Sequence, residues 1–334
     1  MLAAGPAPEP PPRTGPSSGL LADEAEDTVR RRLVAGVSGA GTVPHLAALQ
    51  RIADENAGNR ASPGPGYEAS VRYVTDVLRA AGYGISAPAY PLPKRRRRRG
   101  AIRCRNVIAQ TRTGDPGRVV VAGAHLDSVR KGPGINDNGS GVAALLEVAT
   151  RLGGSPPVRN AVRFAFWGSE EDDLAGSTHY VRKLSGSDRD AIMAYLNLDM
   201  IASPNAGYFV LGGKGKTPAE AGPCGSAQVA CVLAGQLAAA GAVARTVPFD
   251  RESDYAAFID AGIPSGGLWA GDRKNKSGKQ ARRWGGRAGQ PFDPCYHTRR
   301  DRLGKLDRTA LDRFTRATAG TVAHFAASAG TRPG

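Results

Sequence analysis

No stretch of the 334-residue chain holds the ~20 consecutive apolar residues that span a bilayer, so a membrane-inserted protein is excluded and a soluble one expected. Aromatic residues are scarce, at 6 %. None is interleaved with the longest basic run, so a stacking platform for single-stranded nucleic acid is missing. The four cysteines (Cys104, Cys224, Cys231 and Cys295) form no C-x-x-C pair, which argues against a structural zinc knuckle. Cys224 and Cys231 are close enough in sequence to bridge one loop. The opening segment, MLAAGPAPEPPPRTGPSSG, lacks the basic start and unbroken apolar stretch of a secretory signal. Two readings stay open: a chain that remains in the cell, or an export signal lying upstream of these residues. No internal repeat and no interdomain linker is visible.

What is present in excess is positive charge, +15 overall. Lys94–Arg99 (KRRRRR) supplies six of these charges, and the remainder of the chain is still basic. A second cluster, 272–287, carries seven basic residues and one acid. Such runs attract anionic surfaces without specificity and otherwise behave as solvated, flexible loops. With no recognition module beside them, nucleic-acid binding is not expected as the main role.

Six prolines within the first sixteen residues mark a disordered N-terminal extension or pro-segment over residues 1–42. Within it, 22–33 has acids first and bases last, which suits a short helix. A single domain is expected over 43–330. HLAALQRIADENA and YEASVRYVTDVLRAAGY show helical spacing of apolar residues, the second closed by Gly82. From there NVIAQT, RVVVAGAHLD, VRFAFW, AYLNLDM, GYFVL and IPSGGLW read as strands. VAALLEVATRL (core face Val142, Leu145, Leu146, Ala149), LAGSTHYVRKL, CVLAGQLAAAGA and a long segment from Arg308 read as helices. The alternation predicts an α/β three-layer sandwich: a mostly parallel mixed central sheet with helices on both faces.

In such sheets functional groups gather beyond the C-terminal strand ends. His125 and Asp127 end one apolar run, Glu170 and Glu171 follow another, and Asp199 ends a third. Asp137 stands in a glycine-rich turn before a helix, and His297 in the polar stretch CYHTRRD. Any one of these is as readily a surface accident; their joint placement is the signal. Mixed histidine and carboxylate donors suit zinc or a similar divalent ion, and the set is large enough for two ions with one carboxylate left to handle a proton.

The segments GAHLDSV, GPGINDNGSG, FAFWGSEE, LNLDMIASPN and CYHTRRD resemble the M28 family of dinuclear-zinc aminopeptidases, most nearly its secreted Streptomyces type. The likeness runs from about 43 to 325. It implies two zinc ions per chain, one held by His125 and Asp199, the other by Glu171 and His297, with Asp137 bridging. It further implies that Asp127 hydrogen-bonds His125, that Glu170 is the general base and that Tyr296 stabilises the oxyanion. Met200 and Trp269 would line a pocket favouring hydrophobic N-terminal residues such as Leu. The substrate would be a peptide or protein N-terminus, the enzyme secreted and expected to act as a monomer. A glutaminyl cyclase or carboxypeptidase-like enzyme of the same fold, or a non-catalytic basic binding module, are the alternatives. The chain departs from the type at three places. Glu252 stands where the type has an arginine; either Arg251, one position earlier, reaches the substrate or that contact is lost. Arg300 replaces the expected partner of Cys295. Arg316 replaces an acid of a calcium site near Asp312, so calcium activation is not expected.

Overall fold

The structure, a computed structural model, describes residues 28–92, 103–213, 215–330 and 332–333. The helical residues 28–36 (α1) lead into α2 (Gly39–Glu55), which runs through the first predicted helix. Leu33 and Val37 are 3 % and 0 % exposed within the main core, so the packed body begins before Val43. The expected extension over 1–42 is therefore corrected for 28–42; residues 1–27 lie outside the described residues. So does the Lys94–Arg99 run. The second predicted helix is α3 (Pro65–Ala80), with proline in its first turn, Arg79 in its last, and Gly82 beyond it at φ 86°.

Four strands follow: β1 (Gly84–Ser86), β2 (Ala89–Pro91), β3 (Arg103–Arg105) and β4 (Val107–Gln110). Next come β5 (Asp115–His125), α4 (Gly139–Leu152), β6 (Asn160–Trp167), α5 (Ala175–Lys183), α6 (Gly186–Ala191) and β7 (Ile192–Asp199). The remainder is β8 (Phe209–Leu211), α7 (Pro218–Ala221), α8 (Ser226–Ala239), β9 (Arg245–Val247), α9 (Tyr255–Asp260), β10 (Ser265–Trp269), α10 (Gly278–Trp284) and α11 (Arg308–Ala327). Eight strands form one mixed sheet in the order β1-β4-β6-β5-β7-β10-β8-β9, and β2 pairs with β3 apart from it. The middle of the sheet, β6-β5-β7-β10, is parallel; β4 runs antiparallel to both β1 and β6, and β8 runs antiparallel to β10 but parallel to β9.

Side-chain alternation divides the core into two layers. Val120, Ala122, Phe164, Phe166, Leu196 and Leu198 face one way, into a cluster with residues of α2, α3, α4, α8 and α11. Val119, Val121, Ala165, Trp167 and Tyr195 face the other, against Val181 of α5 and Phe258 and Ile259 of α9. Strands covered on both sides can be apolar at every position, which is why they read as continuous runs rather than alternating ones. The second basic cluster departs from the expected flexible loop. Ser277 and Gln280 form a capping box for α10, and Lys276 is buried, its Nζ donating to the carbonyls of Ala206 (2.7 Å) and Gly285 (2.9 Å).

Candidate active site

Because β6, β5 and β7 are adjacent and parallel, their C-terminal ends lie side by side. His125 ends β5, Glu170 and Glu171 stand three and four residues beyond β6, and Asp199 ends β7. The turn between β5 and α4 brings Asp137 over the same edge. His297 comes from the loop before α11 and sits at φ 56°.

These side chains converge in two groups that share Asp137. His125 Nε2 lies 3.3 Å from Asp137 Oδ1 and 3.4 Å from Asp199 Oδ1. His297 Nε2 lies 3.0 Å from Asp137 Oδ2 and 3.2 Å from Glu171 Oε2. Each oxygen of Asp137 thus serves a different group. Asp137 Oδ2, Glu171 Oε1 and Asp199 Oδ1 are buried and accept no aligned hydrogen bond among the described residues. Carboxylate oxygens taken from water without a donor cost several kcal/mol. A divalent cation in each group would remove that cost, and histidine with carboxylates is a donor set zinc accepts. The residues fit such ions.

The electrostatics reflect the crowding. Burial pushes Glu171 up to about 7, with Asp137 adding to the effect and His297 opposing it. Burial also raises Glu170, reinforced by Asp199, Asp254 and Glu171 against the pull of His125. For His297 burial works downward, but the carboxylates of Asp137 and Glu171 outweigh it and raise the imidazole to about 10. Tyr296 is raised by burial and by the same acids, which keeps its phenol protonated. Its ring stacks on His297 at 3.8 Å between centroids, with the Arg273 guanidinium 5.3 Å over it.

The surrounding contacts differ in part from the sequence expectation. His125 Nδ1 is 3.2 Å from the main-chain carbonyl of Asp127, whereas the Asp127 carboxylate stands 3.7 Å away. Donation to that carbonyl leaves the Nε2 lone pair facing the cluster. The Asp127 carboxylate instead accepts the Glu170 N–H at 3.1 Å, so it anchors the start of the two-glutamate turn. The expectation for Arg251 is corrected: its guanidinium pairs with Asp260 on the outside of α9, and it is not among the cavity-lining residues. Asp312 is engaged by the Gly39 N–H (2.7 Å) and by Arg316 (2.9 Å). All four cysteines are free thiols, Cys104 and Cys295 buried.

One cavity is lined by both groups together with Glu170, Tyr296, Met200 and Trp269. Sequence reasoning missed Leu211 and Tyr255 on its apolar wall, and Asp250, Glu252 and Asp272 on its polar one. It also missed Ser253, whose Oγ donates to Asp199 Oδ2 at 2.7 Å. Behind Ser253 a chain of donors runs inward: Asn197 Nδ2 to Ser253 Oγ (2.9 Å), Tyr195 to Asn197 Oδ1 (2.8 Å), Trp167 Nε1 to Tyr195 (2.8 Å). The stretch Glu252-Ser253-Asp254-Tyr255 was conspicuous in the sequence for its missing arginine. Nothing local, however, announced that its serine would meet Asp199.

The fold and site together describe an α/β protein with a paired metal-ligand set at the strand ends. Residues 106–322 match Peptidase family M28, and the chain belongs to that family. It is 54 % identical over 216 residues to a probable lipoprotein aminopeptidase, LpqL, of Mycobacterium tuberculosis, covering 63 % of this chain and 43 % of that protein. It is 40 % identical over 292 residues to leupeptin-inactivating enzyme 1 of Streptomyces exfoliatus, covering 87 % of this chain and 62 % of the relative. The chain thus spans about half the length of the curated relatives it matches. Among solved structures, a zinc aminopeptidase from Bacillus subtilis superimposes with a TM-score of 0.70 over 89 % of this chain and 97 % of its own, at 16 % identity, a likeness of fold. No helix among the described residues is long and apolar enough to cross a membrane.

Proposed function

We propose that the protein is a zinc aminopeptidase that hydrolyses the N-terminal peptide bond of peptides and proteins, preferring hydrophobic first residues such as Leu. The observation that carries this reading is the pair of ligand groups sharing Asp137, with Glu170 beside them in the same cavity. His125, Asp137 and Asp199 would hold one zinc ion, and Asp137, Glu171 and His297 the other. When bound, the ions would polarise the scissile carbonyl and lower the pKa of the attacking water to about 7.

The remaining work falls to this chain's own groups. Glu170 accepts one proton from the water as its oxygen adds to the carbonyl carbon, then delivers it to the leaving nitrogen as the C–N bond breaks. A carboxyl raised by burial, as Glu170 is, holds a proton more readily than an exposed one, which favours its taking the water's proton. The protonated Tyr296 phenol donates to the carbonyl oxygen as negative charge develops there. Asp127 keeps Glu170 in place through the main chain. Met200, Leu211, Tyr255 and Trp269 offer the first side chain an apolar wall, while Asp250 and Glu252 attract the cationic amino terminus. The products are a free amino acid and a peptide shortened by one residue. An extracellular place of action belongs to the same proposal.

The test is a panel of aminoacyl-p-nitroanilides and an N-terminal Gln peptide, assayed before and after chelation. Leu, Met and Phe substrates should be cleaved, activity should vanish on metal removal, and zinc should restore it. Pyroglutamate formation from the Gln peptide without any amino-acid release would overturn the reading in favour of a cyclase.

A further inference from the structure

The Asp137 turn is held from two sides, and the two sides are built differently. Toward β7, Asn138 Nδ2 donates to the Leu198 carbonyl (2.8 Å) and Asn138 Oδ1 accepts the Met200 N–H (3.3 Å), bracketing Asp199. Toward the His297 loop, the carboxylate of Asp301 accepts two successive main-chain N–H groups: Asn136 at 2.6 Å on Oδ1 and Asp137 at 3.0 Å on Oδ2. Asp301 is 2 % exposed. The Ile135 N–H adds a bond to its carbonyl (3.4 Å), and Asn136 Nδ2 reaches Asp293 Oδ2 (2.7 Å) at the other end of the loop.

Apart from the shared Asp137, the first ligand group does not rest on this clamp. His125 and Asp199 end neighbouring strands and are held by strand pairing, His125 in register with Trp167 of β6 and Asp199 with Trp269 of β10. His297 belongs to no strand. Its loop is shaped by short-range bonds, Thr298 to the Cys295 carbonyl and Asp301 to the Thr298 carbonyl, which set its curvature but not its place against the sheet. Asp301 therefore joins the element that carries Asp137 to the element that carries His297.

We propose that Asp301 is the positioning residue for the second ligand group, setting the distance between Asp137 Oδ2 and His297, and that its loss weakens one of the two cation sites selectively. This rests on the two-cation reading of the site. Asp301→Asn is nearly the same size but replaces one acceptor oxygen by an amide, which turns a donor toward a main-chain N–H. Asp301→Glu keeps both oxygens on an arm one methylene longer.

The experiment is calorimetric titration of zinc into the chelator-stripped full chain, wild type and both variants. The melting temperature of each stripped protein is measured alongside, and the visible spectrum is followed as cobalt is added. The wild type should take up two ions. In Asp301→Asn the first should bind with little change, and the second should weaken tenfold or more, the size of effect typical of groups that orient metal ligands. The cobalt spectrum should lose the second ion's contribution. Asp301→Glu should show the same selective loss in milder form, and it carries the test alone if the Asn variant does not fold. Equal weakening of both ions, or a lower melting temperature with both affinities intact, would mark Asp301 as merely structural and overturn the inference. A wild type that binds no zinc would instead overturn the two-cation reading itself.

Discussion

Glu170 and Glu171 are chain neighbours with different surroundings. Glu171 points at His297 and shares a ligand group with Asp137, whereas Glu170 faces the cavity with its main-chain N–H held by Asp127. Tyr296, the neighbour of His297, is the residue whose role in the proposal depends most on a single atom. Tyr296→Phe removes only the phenol oxygen. It should lower kcat by roughly 10²–10³-fold while leaving KM and metal content nearly unchanged; steady-state kinetics with metal analysis would show it, and a shift in KM alone would assign Tyr296 to binding instead. At this scale His125, Glu171 and Asp199 were legible because each ends or follows an apolar run that stops at the same edge of the sheet, and Asp137 and His297 because they stand in short polar turns of their own. Ser253, the main-chain role of Asp127 and the outward turn of Arg251 were not. Each is decided by a contact between segments, Ser253 with Asp199 being 54 residues apart in the chain.

Among the elements, the junction of β5, its turn and α4 does the most to build the site. Gly141, in the first turn of α4, lies where a Cβ would come 2.8 Å from the Leu198 carbonyl and 2.4 Å from Asn138 Oδ1. A glycine-to-alanine change inside a helix ordinarily stabilises by about 0.5–1 kcal/mol. Here the added carbon would push α4 away from the end of β7 and loosen the Asn138 bonds that bracket Asp199. Gly141→Ala should therefore destabilise, by about 1–3 kcal/mol as for other overpacked sites, and should weaken zinc binding; denaturant unfolding and a zinc titration test both. The long strands and amphipathic helices were readable from periodicity. The three-residue strands β1, β2, β3, β8 and β9 span too few residues for an alternation to emerge, although β8 lay within a longer apolar run. The segment 22–33 has acids before bases in sequence, yet only packing of Leu33 and Val37 against the core reveals the helix of residues 28–36 as part of the domain.

Taken as a whole, the molecule sets a strongly basic body around an acidic cavity. The net charge is +15, while Asp137, Glu170, Glu171, Asp199, Asp250, Glu252 and Asp272 all line the one cleft. Two divalent cations and a substrate ammonium would balance that concentration of acids, and the proposal turns on their doing so while Glu170 stays free to carry a proton. The most direct measurement is zinc content and Leu-p-nitroanilide turnover in Glu170→Ala beside the wild type. Loss of turnover by about 10²–10⁴-fold or more, with zinc still near two per chain, is the predicted result. Full turnover in the variant would contradict Glu170 as the base, and loss of zinc along with activity would contradict the division of labour between the two adjacent glutamates.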